Sequence, residues 1–157
     1  MPAKPAVLFV CLGNICRSPL AEAAFRAAAD AAGLAATIDS AGTGDWHAGQ
    51  PPDRRAIATA RAHGIDIAGY RARQVCRDDF IRFTHVLAAD HDNLAALARI
   101  APLGDGAALS LMLDLVPGRH GEALADPYWG GSEEFAKTWS DVSAVAAALT
   151  TLLSAHC

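Results

Sequence analysis

A chain of 157 residues, 52% of them apolar and with a formal net charge of −4, has the length of one domain and enough apolar residues to fill one core. The acidic balance argues against non-specific nucleic-acid binding, which needs a basic face, and no apolar run reaches the roughly 20 residues of a membrane span. The first residues make a poor signal peptide, and four cysteines in a chain this apolar are not needed as staples, so reduced thiols and a cytoplasmic location are expected.

Val7–Val10 is short and continuously apolar, which suits a buried parallel strand. Ser18-Pro19-Leu20-Ala21-Glu22 opens a helix: Pro19 fits the first turn, and Glu22 favours the positive end of the dipole. Alanines carry this helix to a stop at Gly33. Thr37–Ser40 reads as a second strand, and the glycines and prolines of 41–53 as a loop. Arg54–Ala62 is helical, 65–76 is ambiguous, and Asp78–Ile81 forms at most one helical turn. His85–Ala89 is a third strand, Asn93–Ile100 a helix that stops before Pro102, and Leu109–Leu113 a fourth strand. Residues 116–131 form a long loop. Ser132 can then cap a last helix running to about Ser154. Strands alternating with helices indicate an α/β fold with a parallel sheet, whose ligands bind at the carboxyl ends of strands near a switch point. Cys11 stands at the end of the first strand.

The stretch Cys11-Leu12-Gly13-Asn14-Ile15-Cys16-Arg17-Ser18 is therefore a strand-to-helix turn. Backbone N–H groups in such a turn can curl around one point, and the helix behind adds its free N–H groups and positive dipole end. Arg17 adds a planar fork that matches two phosphate oxygens. The outcome is a site for a tetrahedral dianion with a thiol at its centre. Thiols beside a guanidinium and a helix N-terminus are held as nucleophilic thiolates. Asn14 tolerates left-handed backbone and can hold the loop. Ser18 can donate a hydrogen bond to Cys11 or cap the helix, and the two roles are compatible. A Walker-type loop would need a second glycine and a lysine that are absent. Cys11 and Cys16 have zinc-ligand spacing, but no tight Cys/His pair follows, and no metal is expected.

Phosphate-ester cleavage also needs an acid on a loop opposite the anion. Asp126-Pro127-Tyr128-Trp129 supplies one, because proline keeps the preceding residue extended. Tyr128 and Trp129, with Trp46 from the other loop, offer flat faces for a phosphorylated ring. The scattered histidines 47, 63, 85, 91, 120 and 156 read as surface or packing residues.

Together these residues resemble the low-molecular-weight protein tyrosine phosphatase family. The likeness rests on V-C-L-G-N-I-C-R-S-P-L-A-E at 10–22, D-S-A-G-T at 39–43, W-H at 46–47, P-x-R at 52–54, H-G-I at 63–65, A-R-Q at 72–74 and D-P-Y at 126–128. It implies one phosphatase domain over 1–157, with a four-stranded parallel sheet flanked by helices on both faces and a phosphate-binding loop after strand 1. It implies metal-independent, cofactor-free hydrolysis of phosphotyrosine through a phosphocysteine on Cys11. Arg17 and the loop Leu12, Gly13, Asn14, Ile15, Cys16 and Ser18 would bind the phosphoryl group, and Asp126 would serve as acid and then base. Asn14, Ser18 and Ser40 would support the loop, and Trp46, Tyr128 and Trp129 would line the entrance. Cys16 resembles a second thiol able to form a reversible disulfide with Cys11. Where the family often has a supporting histidine, this chain has Tyr70, whose hydroxyl would join the loop support with a different reach. The implied partner is a phosphotyrosine protein, an autophosphorylating tyrosine kinase among the candidates, and a monomer is expected. Two other functions share the features: an arsenate reductase, whose thiol relay would have to use Cys76 and Cys157, and a non-catalytic phosphotyrosine-binding module.

Overall fold

In the computed structural model, which describes residues 4–104 and 106–154, the strands β1 (Ala6–Cys11), β2 (Thr37–Gly42), β3 (His85–Ala88) and β4 (Ala108–Leu111) form one sheet in the order β2-β1-β3-β4. Every pairing is parallel, as the alternation of strands and helices implied. β1 is continuously apolar because both of its faces are covered. Val7, Phe9 and Cys11 face a core shared with α1 (Arg17–Ala31), α2 (Arg54–Ala62) and α5 (Ser132–Ser154). Within it Phe9 meets Phe25 edge-on, with ring centroids 6.0 Å apart. Ala6, Leu8 and Val10 face a second core under α3 (Asp79–Arg82) and α4 (His91–Ile100), filled by Phe80, Phe83 and Leu97. Among the described residues no helix is long and apolar enough to cross a membrane.

Several boundaries differ from the sequence reading, each for a local reason. α1 begins at Arg17, so Glu22 lies in its second turn, beyond the reach of the dipole's first turn. Its carboxylate is buried and bonded instead to Ser40 and Arg26. The helix does stop at Gly33, which takes a left-handed φ of 67°. β2 continues to Gly42, because the undecided segment 65–76 returns alongside it: the Gly42 N–H donates to the Arg73 carbonyl and the Gly42 carbonyl accepts from Val75 N–H, both at 2.8 Å. The fourth strand ends at Leu111, where a 3-10 turn (Met112–Leu115) begins. There the Asp114 carboxylate draws in the N–H groups of Leu111 and Gly121. α4 starts at His91, two residues early, because Asp90 caps it by accepting Asn93 N–H at 2.8 Å. Ser132 is the first residue of α5 rather than its cap, and Glu134 accepts the Gly131 N–H at 2.8 Å. His156 and Cys157 lie outside the described residues.

The connection from β1 leads to β2 on one side, while the next strand, β3, lies on the other. The crevice this leaves at the carboxyl end of β1 is where open α/β sheets bind ligands. Segment 73–79 walls it from behind. Arg73 binds Asp39 through Nε and Nη2, and the fully buried Asp79 accepts from Arg73 at 3.0 and 3.1 Å and from Cys76 N–H at 2.8 Å. Burial alone pushes the Asp79 carboxyl up, but Arg73 and the Cys76 N–H outweigh it and hold the group below its ordinary value. A folded-state pKa below the unfolded one gives stability that is present above about pH 4 and lost as pH falls through the folded value. Asp79→Asn is therefore expected to destabilise the protein by about 2 kcal/mol at pH 7. In urea titrations that difference should hold above about pH 4 and shrink progressively as pH falls below it. A difference that stays the same from pH 7 into the acid range where the protein still folds, with no decline below about pH 4, would mean the charge is not its source.

Candidate active site

β1 delivers Cys11, 3% exposed, to a tight loop leading into α1. The loop's carbonyls turn outward: Cys11 accepts from Thr43 N–H, Leu12 from Gly44 N–H, Ile15 from Asp53 N–H and Cys16 from Leu20 N–H, at 2.8–3.2 Å. In a trans peptide the following N–H points the opposite way. The N–H groups of Leu12, Gly13, Cys16 and Arg17 therefore face the concave side, as an anion nest requires. Asn14 makes the curl with φ 59°, a left-handed conformation that asparagine tolerates. A Cβ on Gly13 would come 2.9 Å from Cδ2 of His47, so a side chain there would have to push the imidazole aside.

Behind the loop runs a chain of hydrogen bonds whose proton direction can be deduced. Asn14 Oδ1 accepts the Arg73 N–H at 3.0 Å, which fixes the amide so that Nδ2 donates to Ser18 Oγ (2.8 Å) and Ser40 Oγ (3.0 Å). Both hydroxyls are thus acceptors from Asn14 and must send their own hydrogens onward. Ser40 donates to Glu22 Oε1 at 2.7 Å, and the Ser18 hydrogen has two acceptors, Cys11 Sγ at 3.0 Å and the Ala41 carbonyl at 3.4 Å, of which the sulfur is the nearer. Arg26 holds the other oxygen of Glu22 at 2.8 Å. Burial pushes the Glu22 carboxyl up, against the pull of Ser40 and Arg26. Tyr70 lies beside Glu22 and Arg26 in a small cleft, and burial, then the Glu22 charge, push its phenol up. The side chain that terminates the chain of bonds is Glu22.

Arg17 is 3% exposed. Its Nη1 donates to Asp90 Oδ2 and to the Leu124 carbonyl, each at 2.9 Å. Those bonds use Nη1 alone, and Nη2 stands 3.7 Å from Asp126 Oδ2. Cys11, Leu12, Gly13, Ile15, Cys16 and Arg17 line a cavity of about 270 Å³ with Trp46, His47, Asp126, Tyr128 and Trp129. Asp126 Oδ1 accepts the Tyr128 N–H at 3.0 Å, and its side chain is about half exposed. Tyr128 and Trp129 meet edge-on, 4.9 Å between centroids, and Trp46 and Trp129 stand out into solvent at the rim. Burial, then the Asp53 carboxylate, push the Cys16 thiol up, so it stays protonated at neutral pH. Among the described residues no group of three His, Cys, Asp or Glu side chains could hold a metal ion.

The family model described as low molecular weight phosphotyrosine protein phosphatase matches residues 6–156. The chain belongs to that family. It is 44% identical to the low molecular weight phosphotyrosine protein phosphatase of Schizosaccharomyces pombe over 132 residues, covering 82% of this chain and 84% of the relative. It is also 44% identical to the low molecular weight protein-tyrosine-phosphatase of Streptomyces coelicolor over 154 residues, covering 95% and 92%. The crystal structure of YfkJ from Bacillus subtilis superposes with a TM-score of 0.90 at 34% identity, covering 99% of this chain and 98% of that one.

Within this family fold, sequence reasoning missed Asp90, Glu22 and His47. Asp90 carried a signal: it stands two residues past the end of β3, at the carboxyl end of the sheet where the crevice opens. Glu22 is four residues after Ser18 on α1, hence on the same helix face, turned toward the back of the loop. His47, expected as a surface or packing residue, is partly exposed and also lines the cavity, its Nδ1 bonded to Gln50. Replacing Asn14 separates amide from backbone. Asn14→Ala loses the three bonds and also incurs left-handed strain, whereas Asn14→Gly loses only the bonds. Chemical denaturation is expected to find the alanine variant less stable than the glycine variant by roughly 1 kcal/mol; the reverse order would remove strain from the explanation.

Proposed function

We propose that this phosphatase-family protein hydrolyses phosphotyrosine and other aryl phosphate monoesters without a metal, through a phosphocysteine on Cys11. The observation that carries the reading is one cavity that joins the thiol of Cys11, the guanidinium of Arg17 and the carboxyl of Asp126. The inward N–H groups and Arg17 bind the phosphoryl oxygens, and their positive field favours the crowded charge of the transition state. Cys11 Sγ attacks phosphorus in line while Asp126 passes its proton to the departing phenol oxygen. Water then attacks the phosphocysteine, Asp126 takes a proton from it, and the thiolate leaves, stabilised by the Ser18 hydroxyl. Asp90 and the Leu124 carbonyl fix Arg17 from behind so that its remaining edge meets the substrate. The aromatic rim of Trp46, Tyr128 and Trp129 receives the phenyl ring, and Leu12 and Ile15 line the same cavity. Asn14, Ser18 and Ser40 act as loop supports, ended by Glu22 with Tyr70 at its side. Cys16 serves as the thiol that condenses with a Cys11 sulfenic acid, releasing water and closing a disulfide that an external thiol reopens.

The substrate is a tyrosine-phosphorylated protein, an autophosphorylating tyrosine kinase among the candidates, and the enzyme works as a cytoplasmic monomer. The arsenate-reductase alternative would have to relay through the exposed Cys76 and through Cys157, which lies outside the described residues; the family match favours the phosphatase reading.

In EDTA, the wild type is expected to hydrolyse p-nitrophenyl phosphate, and Cys11→Ser to lose turnover while still binding orthophosphate. A wild type that is inert until metal is added would contradict the reading. Asp126→Ala should lower kcat/KM by about 10²–10⁴-fold for phenyl phosphate and much less for p-nitrophenyl phosphate, whose leaving group needs little protonation. Equal losses on the two substrates would remove Asp126 from the acid role.

A further inference from the structure

Arg55 lies outside the catalytic cavity, yet it joins the two loops that build it. Asp53 grips one edge of its guanidinium, Nε to Oδ1 and Nη2 to Oδ2, each at 3.0 Å. The Nη1 group reaches 3.0 Å across to the carbonyl of Gly130. The guanidinium carbon stands 5.5 Å from the Tyr128 ring centre and 4.8 Å from that of Phe135. Asp53 is itself tied to the phosphate-binding loop, since its N–H donates to the Ile15 carbonyl at 2.8 Å. A continuous path of bonds therefore runs from that loop through Asp53 and Arg55 to Gly130.

The other end of the acid segment is pinned differently. Leu124 N–H donates to the Ala89 carbonyl at 2.8 Å, and the Leu124 carbonyl accepts from Arg17. Residues 125–129, which carry Asp126, thus span two anchors, Leu124 on the sheet and Gly130 on Arg55. The hydrogen bond made by the Asp126 side chain is local, to Tyr128 N–H, and its other oxygen stands 3.7 Å from Arg17 Nη2, beyond hydrogen-bond reach. Where the carboxyl sits relative to Cys11 depends on the anchors, and a displacement of about 1 Å can cost 10²-fold in rate.

We propose that Arg55 is a positioning residue for the general acid: it straps the Asp126 segment to the phosphate-binding loop through Gly130 and Asp53. The proposal rests on the reading of Asp126 as the acid. It calls for arginine specifically, because only a planar fork can satisfy a carboxylate along one edge, a carbonyl from the remaining nitrogen and two rings at once. The pair with Asp53 keeps its arginine largely in solvent and adds little to stability, so its effect should be read in catalysis.

The test measures kcat/KM on phenyl phosphate and p-nitrophenyl phosphate for the wild type, Arg55→Ala, Asp126→Ala and the double variant. Arg55→Ala is expected to lose about tenfold on phenyl phosphate and less than about twofold on p-nitrophenyl phosphate. In the Asp126→Ala background the Arg55 change should have no further effect on the ratio between the two substrates. Arg55→Lys should fail to restore it. Asp53→Asn, which frees the guanidinium without removing it, should shift the ratio in the same direction as Arg55→Ala. Equal losses on both substrates, or an Arg55 effect on the ratio that survives without Asp126, would overturn the proposal. A ratio insensitive to Asp126→Ala alone would instead overturn the acid reading, and this proposal with it.

Discussion

The bond from the Arg73 N–H to Asn14 Oδ1 turns both amide hydrogens of Asn14 toward the serines that support the loop. An amide presents an acceptor at one end and two donors at the other. With the acceptor end occupied, both donors must go to Ser18 and Ser40, and each serine is left with one hydrogen to give. Ser40 gives it to the Glu22 carboxyl, and for Ser18 the nearest acceptor is the sulfur. The same asparagine adopts the left-handed backbone that curls the loop. One residue therefore sets both the shape of the anion nest and the polarity of the support beneath it.

That bond is possible because of how the sheet is ordered. β1 ends between β2 and a strand from the other side, so its carboxyl end is open. Residues 73–75 fill the rear of the opening by pairing with Gly42 at the end of β2. They stay there because Arg73 is locked between Asp39 and the buried Asp79. On the opposite side Asp90, fixed as the cap of α4, steadies Arg17. Two fixed acid–arginine pairs, one behind the loop and one beside it, thus hold the nest at a preset geometry before any ligand arrives. Such preset order is what electrostatic stabilisation of a transition state requires.

Much of this was legible in the sequence, and the reason differs by element. Parallel β1 showed through its unbroken apolar run, and the loop through the fixed spacing of Cys11, Gly13, Asn14, Arg17 and Ser18, because local backbone demands leave local marks. The α2 boundaries were readable because Asp53 caps the helix and Gly64 ends it with a left-handed φ. What could not be read were pairings between distant residues. Segment 65–76 is irregular, and its role follows from strand-like bonds to Gly42 that no periodicity announces. Glu22 looked like a helix-dipole residue because its partners, Ser40 and Arg26, come together only in the fold. Asp90 and Arg55 act across 73 and 75 residues of sequence on Arg17 and Gly130 respectively, and neither spacing leaves a pattern.

The central claim is that Cys11 carries the phosphoryl group between the two chemical steps. Rapid acid quenching of the Asp126→Ala protein with an aryl phosphate of good leaving group, followed by peptide mass analysis, tests it directly. Removing Asp126 should slow hydrolysis of the intermediate enough for it to accumulate. The predicted result is one phosphoryl group on the peptide containing Cys11, absent when Cys11 is serine. A phosphoryl group on a different residue, or turnover of the ester with release of phenol but no phosphoprotein at any quench time, would contradict it.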